Sequence, residues 1–229
     1  MKRNQSGFTL IEIAIVLVII GLLLGGVLKG QELINSAKVK NLGTDFRNIP
    51  VYIYGYQDKF RALPGDDANP TAHLGSVAVS GVGGTLGNGV IEGNWNDPVT
   101  SKSEAIVFWQ HVRLANLATG ATDLADPSYM PTNNAGSPIG IQSGTSSLTA
   151  TPMTTTVGGT TTAISGSYVI CSSGILGKFV KQLDLQMDDG NTAGGSMMAG
   201  QTTAVGTPMT AVPTASIVDS STYTVCMGV

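Results

Sequence analysis

This sequence is short of charge. Only 12% of its 229 residues are Asp, Glu, Lys or Arg, against roughly 25% in an average soluble domain. The 12 basic residues are scattered and outnumbered by 15 acidic ones, so a basic face for nucleic acid cannot be assembled. Aromatics are sparse at 6%, and the only histidines are His73 and His111. Cysteine occurs twice, at Cys171 and Cys226, too few and too far apart for a zinc site. A Gly-x-Ser-x-Gly elbow, a His-Glu-x-x-His helix and a glycine-rich phosphate loop are all missing. Adjacent Asp188 and Asp189 could in principle pair as acid and base, but neighbours on a glycine turn rarely share a cleft. The expectation is a protein that is not an enzyme. No repeat of fixed period is present.

One stretch breaks the polar, weakly charged pattern. From Phe8 to Leu28 only Thr9 and Glu12 are polar. As a helix this run is about 31 Å long, enough to cross a bilayer core. Helix is the form that pairs every backbone polar group within lipid. Lys2 and Arg3 precede it, so that end stays cytoplasmic and the rest lies outside the inner membrane. A cleaved secretory signal would have the same positive start and apolar core. Its cleavage site fits poorly, because Gly30-Gln31-Glu32 leads into more helical sequence. A simple anchor is the other alternative. Neither accounts for Glu12, since a carboxylate in hydrocarbon is costly unless something compensates it.

The string Gly7-Phe8-Thr9-Leu10-Ile11-Glu12 at the head of this run resembles the class III signal of type IV prepilins and type II secretion pseudopilins. The resemblance implies a short basic leader, residues 1–7, cut between Gly7 and Phe8 by a prepilin peptidase, with methylation of the new Phe8 amino group. It implies that residues 8–28 anchor the chain in the inner membrane and later form the filament core. Glu12 would then meet the Phe8 amino terminus of a neighbouring subunit. Opposite charges attract strongly in a dry core, though desolvation offsets much of that, so such a pair sets register more than it adds stability.

Residues 29–61 read as the outer, amphipathic half of the same helix. Leu33, Ile34, Ala37, Leu42, Phe46 and Ile49 give a partial apolar stripe, with charged residues largely elsewhere. Pro50 is expected to kink or interrupt it, and Val51 to Phe60 to resume it. Gly21, Gly25, Gly26 and Gly30 punctuate the apolar half. Gly21 and Gly25, four apart, make a small face that permits close helix approach.

Residues 62–229 form the head, with loop-rich insertions. Pro64-Gly65-Asp66 reads as a turn. Together with Gly87-Asn88-Gly89 and a later helix it resembles a subset of pilin-like proteins. Ser103 to Leu117 is a helix candidate with Ser103 as its cap, and His111 within it reads as a packed or surface histidine. Strands are expected at 166–171 and 223–227. The stretch Ile175 to Leu185 stays open between strand and helix. The fold class is therefore α+β, a long N-terminal helix packed against a C-terminal antiparallel sheet.

An even cysteine count in an exported chain suggests one disulfide, Cys171 to Cys226; two separate buried thiols are the alternative. Closing a loop of about 56 residues stabilises by about 4 kcal/mol in the chain-entropy model. The pairing matches the disulfide-closed C-terminal region of many type IV pilins. Asp184, Asp188, Asp189 and Asn191 concentrate oxygen ligands near Gly190 and are a candidate calcium site, against the plainer reading of a solvated turn with Asx hydrogen bonds. Asp66 and Asp67 are a second, weaker candidate. No other cofactor is expected.

The resemblance implies a structural subunit of a type IV pilus or pilus-like filament. Its partners would be identical or related subunits, the prepilin peptidase and an inner-membrane assembly platform. Before assembly the chain would be a single-pass inner-membrane protein; afterwards it would lie in a cell-surface pilus or a periplasmic pseudopilus. A type II secretion pseudopilin and a minor pilin are the near alternatives, and a membrane-anchored binding protein that never polymerises is the distant one. Adhesion, motility and DNA uptake belong to the filament and need no active site in the subunit.

Overall fold

The computed structural model describes residues 9–229 and divides at Lys38 into two units. Helix α1 spans Leu10–Phe60. In the first unit every large apolar residue from Leu10 to Ile34 is exposed. Leu33 and Ile34, expected to begin the stripe that packs on the head, are therefore outside any core in this unit.

In the second unit, Val39–Val229, the remainder of α1 behaves as a core helix. Val39, Leu42, Phe46, Ile49, Ile53 and Tyr56 are all at most 4% exposed. Their spacing of three and four residues puts them on one face. Pro50 does not interrupt the helix, contrary to expectation. A mid-helix proline costs about 3 kcal/mol. Burying a large apolar side chain returns about 1.5–3 kcal/mol each, and Phe46, Ile49 and Ile53 flank Pro50 on the buried face. The helix ends where Arg61 takes a left-handed conformation, φ 56°.

Two further helices precede the sheet: α2 (Pro70–Leu74) and α3 (Glu104–Leu114). Ser103 precedes α3, but its side chain makes no capping hydrogen bond, which corrects the expectation. Its hydroxyl faces Ser101 Oγ at 3.4 Å instead, and the Ala105 N–H at the start of the helix is taken by the Glu92 carbonyl.

The strands are β1 (Ile139–Ser143), β2 (Met153–Val157), β3 (Thr160–Ala163) and β4 (Tyr168–Leu176). Helix α4 (Gly177–Met187) follows, so most of the ambiguous 175–185 stretch is helical. Then come β5 (Met197–Gly200), β6 (Met209–Thr210) and β7 (Thr222–Gly228). The main sheet has the order β1-β4-β7-β5 and is antiparallel throughout. A second sheet, β3-β2-β6, pairs β2 with β6 in parallel; it was not foreseen.

The main sheet is covered on both faces, and its strands alternate between two cores. Ile170, Val225, Met227, Met197 and Ala199 join the cluster containing Phe46 and Phe108. Val169, Cys171, Cys226 and Met198 join the other, with Trp95, Met153 and Met209. The long N-terminal helix, through its residues 39–60, thus packs with the C-terminal antiparallel sheet in an α+β fold.

Candidate functional site

Three groups of residues could carry function: the exposed apolar helix, the acidic turns of the head, and the cysteine pair.

On the helix, Glu12 has a partner that sequence reasoning missed. Its Oε2 accepts the Thr9 N–H and the Thr9 hydroxyl, both at 2.7 Å. The Glu12 N–H in turn donates to Thr9 Oγ1 at 3.3 Å. This reciprocal pair is a capping box, and its signal, Thr-x-x-Glu before an apolar run, stands in the sequence. Thr9 is thus the N-cap that opens α1. Gly7 and Phe8, the proposed cleavage pair, lie outside the described residues. From Leu10 to Leu28 the large apolar side chains are 46–89% exposed, and this is the one described helix long and apolar enough to cross a membrane. A Cβ at Gly21, Gly25, Gly26 or Gly30 would meet nothing within 4 Å. The Lys29–Glu32 ion pair at 2.6 Å is exposed on both sides and contributes little.

In the head, Asp66 is buried and serves the loop that follows it. Oδ1 accepts the N–H groups of Gly87 and Asn88 at 2.5 and 3.2 Å, and Oδ2 accepts that of Gly89 at 2.7 Å. The two turn motifs of the sequence are therefore one structure, a carboxylate holding a three-residue turn. Gly65 just before it has φ 92° and packs against the Glu104 carbonyl, where no side chain fits. Asp67 accepts Tyr56 O–H at 2.6 Å and the Asn69 N–H at 2.8 Å, with His73 Nδ1 at 2.6 Å. Burial pushes the Asp67 carboxyl up, but the hydrogen bonds from His73, Tyr56 and Asn69 together hold it below its usual value. The second candidate metal pair, Asp66 and Asp67, thus spends its oxygens on internal donors. His111 is buried. Its Nδ1 accepts the Gly65 N–H at 2.9 Å, so Nε2 carries the proton and donates to the Val79 carbonyl at 2.8 Å. Burial lowers its pKa, and it is a neutral strut rather than an acid or base.

The four residues of the calcium candidate are not gathered into a coordination sphere. Asp188 accepts Ser196 N–H and O–H and Met197 N–H at 2.8–3.0 Å. Asp189 and Asn191 each accept a backbone N–H two residues ahead, at 2.8 and 3.3 Å, as Asx turns. Asp184 is 1% exposed and neither oxygen has a hydrogen-bond partner. Burial, then the charges of Asp188 and Asp189, push its pKa up to about 7. Among the described residues no three His, Cys, Asp or Glu side chains converge on a metal position.

Cys171 and Cys226 are joined, with their Cα atoms 4.1 Å apart. They sit directly opposite each other on β4 and β7, the central strands of the main sheet, and both are fully buried.

No curated protein matches this chain. Residues 2–28 match the family model of the prokaryotic N-terminal methylation motif. That motif implies processing by a prepilin peptidase and assembly with other pilin subunits, and with it the apolar helix is suited to membrane anchoring. The N-terminal segment of this chain is therefore the class III prepilin-type signal that marks type IV pilin-like and pseudopilin precursors.

Proposed function

We propose that this chain is a structural subunit of a type IV pilus or pilus-like filament, cut before Phe8, methylated there and polymerised through residues 8–28. The observation that carries this reading is the exposed surface from Leu10 to Leu28, apolar except for Glu12. Water cannot be its final environment, because such a surface costs about 25 cal/mol per Å² exposed. A bilayer and a bundle of like helices are the two environments that suit it. The four glycines with open space around them favour the bundle, since small residues let helix backbones approach closely.

Glu12 supports the same reading. Thr9 engages Oε2, and Oε1 is the atom proposed to receive the Phe8 ammonium of the neighbouring subunit. Repetition of that one contact between identical chains gives an open helical polymer rather than a closed ring. The inner-membrane assembly platform would extract the subunit from lipid as the contact forms. The disulfide that locks the two central strands favours a pilus-building subunit over the pseudopilin and minor-pilin versions, because a surface fibre bears load outside the cell.

The test is to shear filaments from cells and analyse the N-terminal peptide by mass spectrometry. A fibre fraction rich in this chain, starting at methylated Phe8, is the expected result. A chain found only in membranes, or one starting near residue 31, rejects the proposal.

A further inference from the structure

A second pair of carboxylates meets in the head, outside every group described above. Glu104, the first residue of α3, is 0% exposed. Its Oε2 accepts the Glu92 N–H at 3.0 Å. Its Oε1 is buried and has no hydrogen-bond partner. That oxygen and the Glu92 carboxylate border one small space beside Gly84: a Cβ there would collide with Glu92 and lie 2.8 Å from Glu104 Oε1. Glu92 is held in place by the Thr85 N–H at 3.1 Å and Asn88 Nδ2 at 3.0 Å. Asp66 adds a third negative charge nearby, while its own oxygens are held by the turn.

Two carboxylates this close repel each other unless something positive lies between them. The ion pairs Lys29–Glu32, His73–Asp67 and Lys181–Asp219 lie elsewhere and do not involve Glu92 or Glu104. The positive end of α3 offers Glu104 some compensation, but that leaves Oε1 without a donor. Burial and the charges of Glu92 and Asp66 outweigh the single N–H donor and push Glu104 up to about 7. A proton or a cation would relieve the site.

We propose that Glu92 and Glu104 bind a divalent cation of the calcium type beneath the Gly81–Gly84 loop. The donors are all oxygen, which selects a hard cation over zinc or copper. Gly84 is exposed and Glu92 half-buried, so an ion can enter from solvent. Two carboxylates supply at most four ligand oxygens. Backbone carbonyls and water would complete the shell, and affinity should be weak, on the order of 0.1–1 mM, as in extracellular calcium modules. The bound ion would tie the start of α3 to the Gly81–Glu92 loop, and so tie both to the turn held by Asp66.

The experiment is thermal unfolding of the full chain in detergent at pH 7.5, in chelator and in 10 mM calcium chloride or magnesium chloride. Calcium should raise the Tm by roughly 3–6 °C, and Glu104→Gln and Glu92→Gln should each abolish the rise. Glu92 is the more exposed partner, so E92Q remains informative if E104Q fails to fold. Equal Tm values with and without calcium in the wild type overturn the proposal. Should E104Q then be more stable than the wild type at pH 7.5 and alike at pH 4.5, a shared proton occupies the site instead.

Discussion

Residues 10–28 and residues 39–60 belong to one helix and are built on opposite principles. In the first stretch the apolar side chains point all round and are exposed. In the second, Val39, Leu42, Phe46, Ile49, Ile53 and Tyr56 fall on one face at spacings of three and four and are buried, while Val51 and Tyr54 lie off that face and are exposed. The glycines differ in the same way. Those of the first stretch touch nothing. In the head, a Cβ on Gly140 would strike the Trp95 carbonyl and one on Gly177 the Val218 carbonyl. A helix that is apolar all round has a neighbour to come, whereas one with a single apolar stripe already has its partner. The difference separates what this chain does for its own fold from what it holds ready for other molecules.

The strongest way to break that division is Glu12→Ala. Sheared filament yield should fall by roughly tenfold or more, because the neighbour's ammonium would be left without its anion in a dry core. The thermal unfolding of the head should be unchanged. Normal yield, measured by immunoblot of the sheared fraction, would show that the carboxylate serves only to cap α1. Next in size is a matched pair on the same helix. Phe46→Ala should cost the head about 3–5 kcal/mol, read from denaturant unfolding in detergent. Leu17→Ala should leave that transition within about 0.5 kcal/mol. Equal losses would mean that the two stretches share one folding unit.

The smallest effect sharpens a contrast between two acids, exposed Glu12 with its Thr9 donors and buried Asp184 with none. The pKa of Asp184 is raised to about 7 from its ordinary 3.8, so the folded state holds its proton more tightly than the unfolded chain. Its contribution is then complete below about pH 4 and is lost as pH rises through 7. Asp184→Asn should match the wild type at pH 4 and exceed its Tm by about 2–4 °C at pH 8. A constant difference across that range would mean that the carboxyl stays ionised.

How much of this was legible varies with the kind of signal. The apolar run and the Gly-Phe-Thr-Leu-Ile-Glu string are local, so the prepilin-type signal could be read directly. The cysteine pairing could be proposed from count and compartment, and the opposed positions on β4 and β7 give it its geometry. Thr9 and Glu12 form a box three residues apart, yet an acid in lipid directs attention to a distant countercharge before a near hydroxyl. Pro50 misled because local propensity was outweighed by burial on both sides of it. Ser103 misled because its oxygen faces Ser101 rather than the helix. Strands β2 and β3 stayed hidden because they are threonine-rich, without the apolar alternation that marks a half-buried strand. Asp66 and its turn are about twenty residues apart and meet through backbone N–H groups, which leave no residue-type signature beyond glycine.

The turn held by Asp66 has a chemical consequence. Asn88 is followed by Gly89, a pair prone to ageing, because the glycine nitrogen can attack the asparagine amide and release ammonia through a cyclic imide. Here that nitrogen donates to Asp66 while the Asn88 amide oxygen accepts the Val90 N–H at 2.7 Å. Both reacting groups are held in other bonds, so the folded head protects its own most perishable dipeptide, and damage there would record how often the loop had opened.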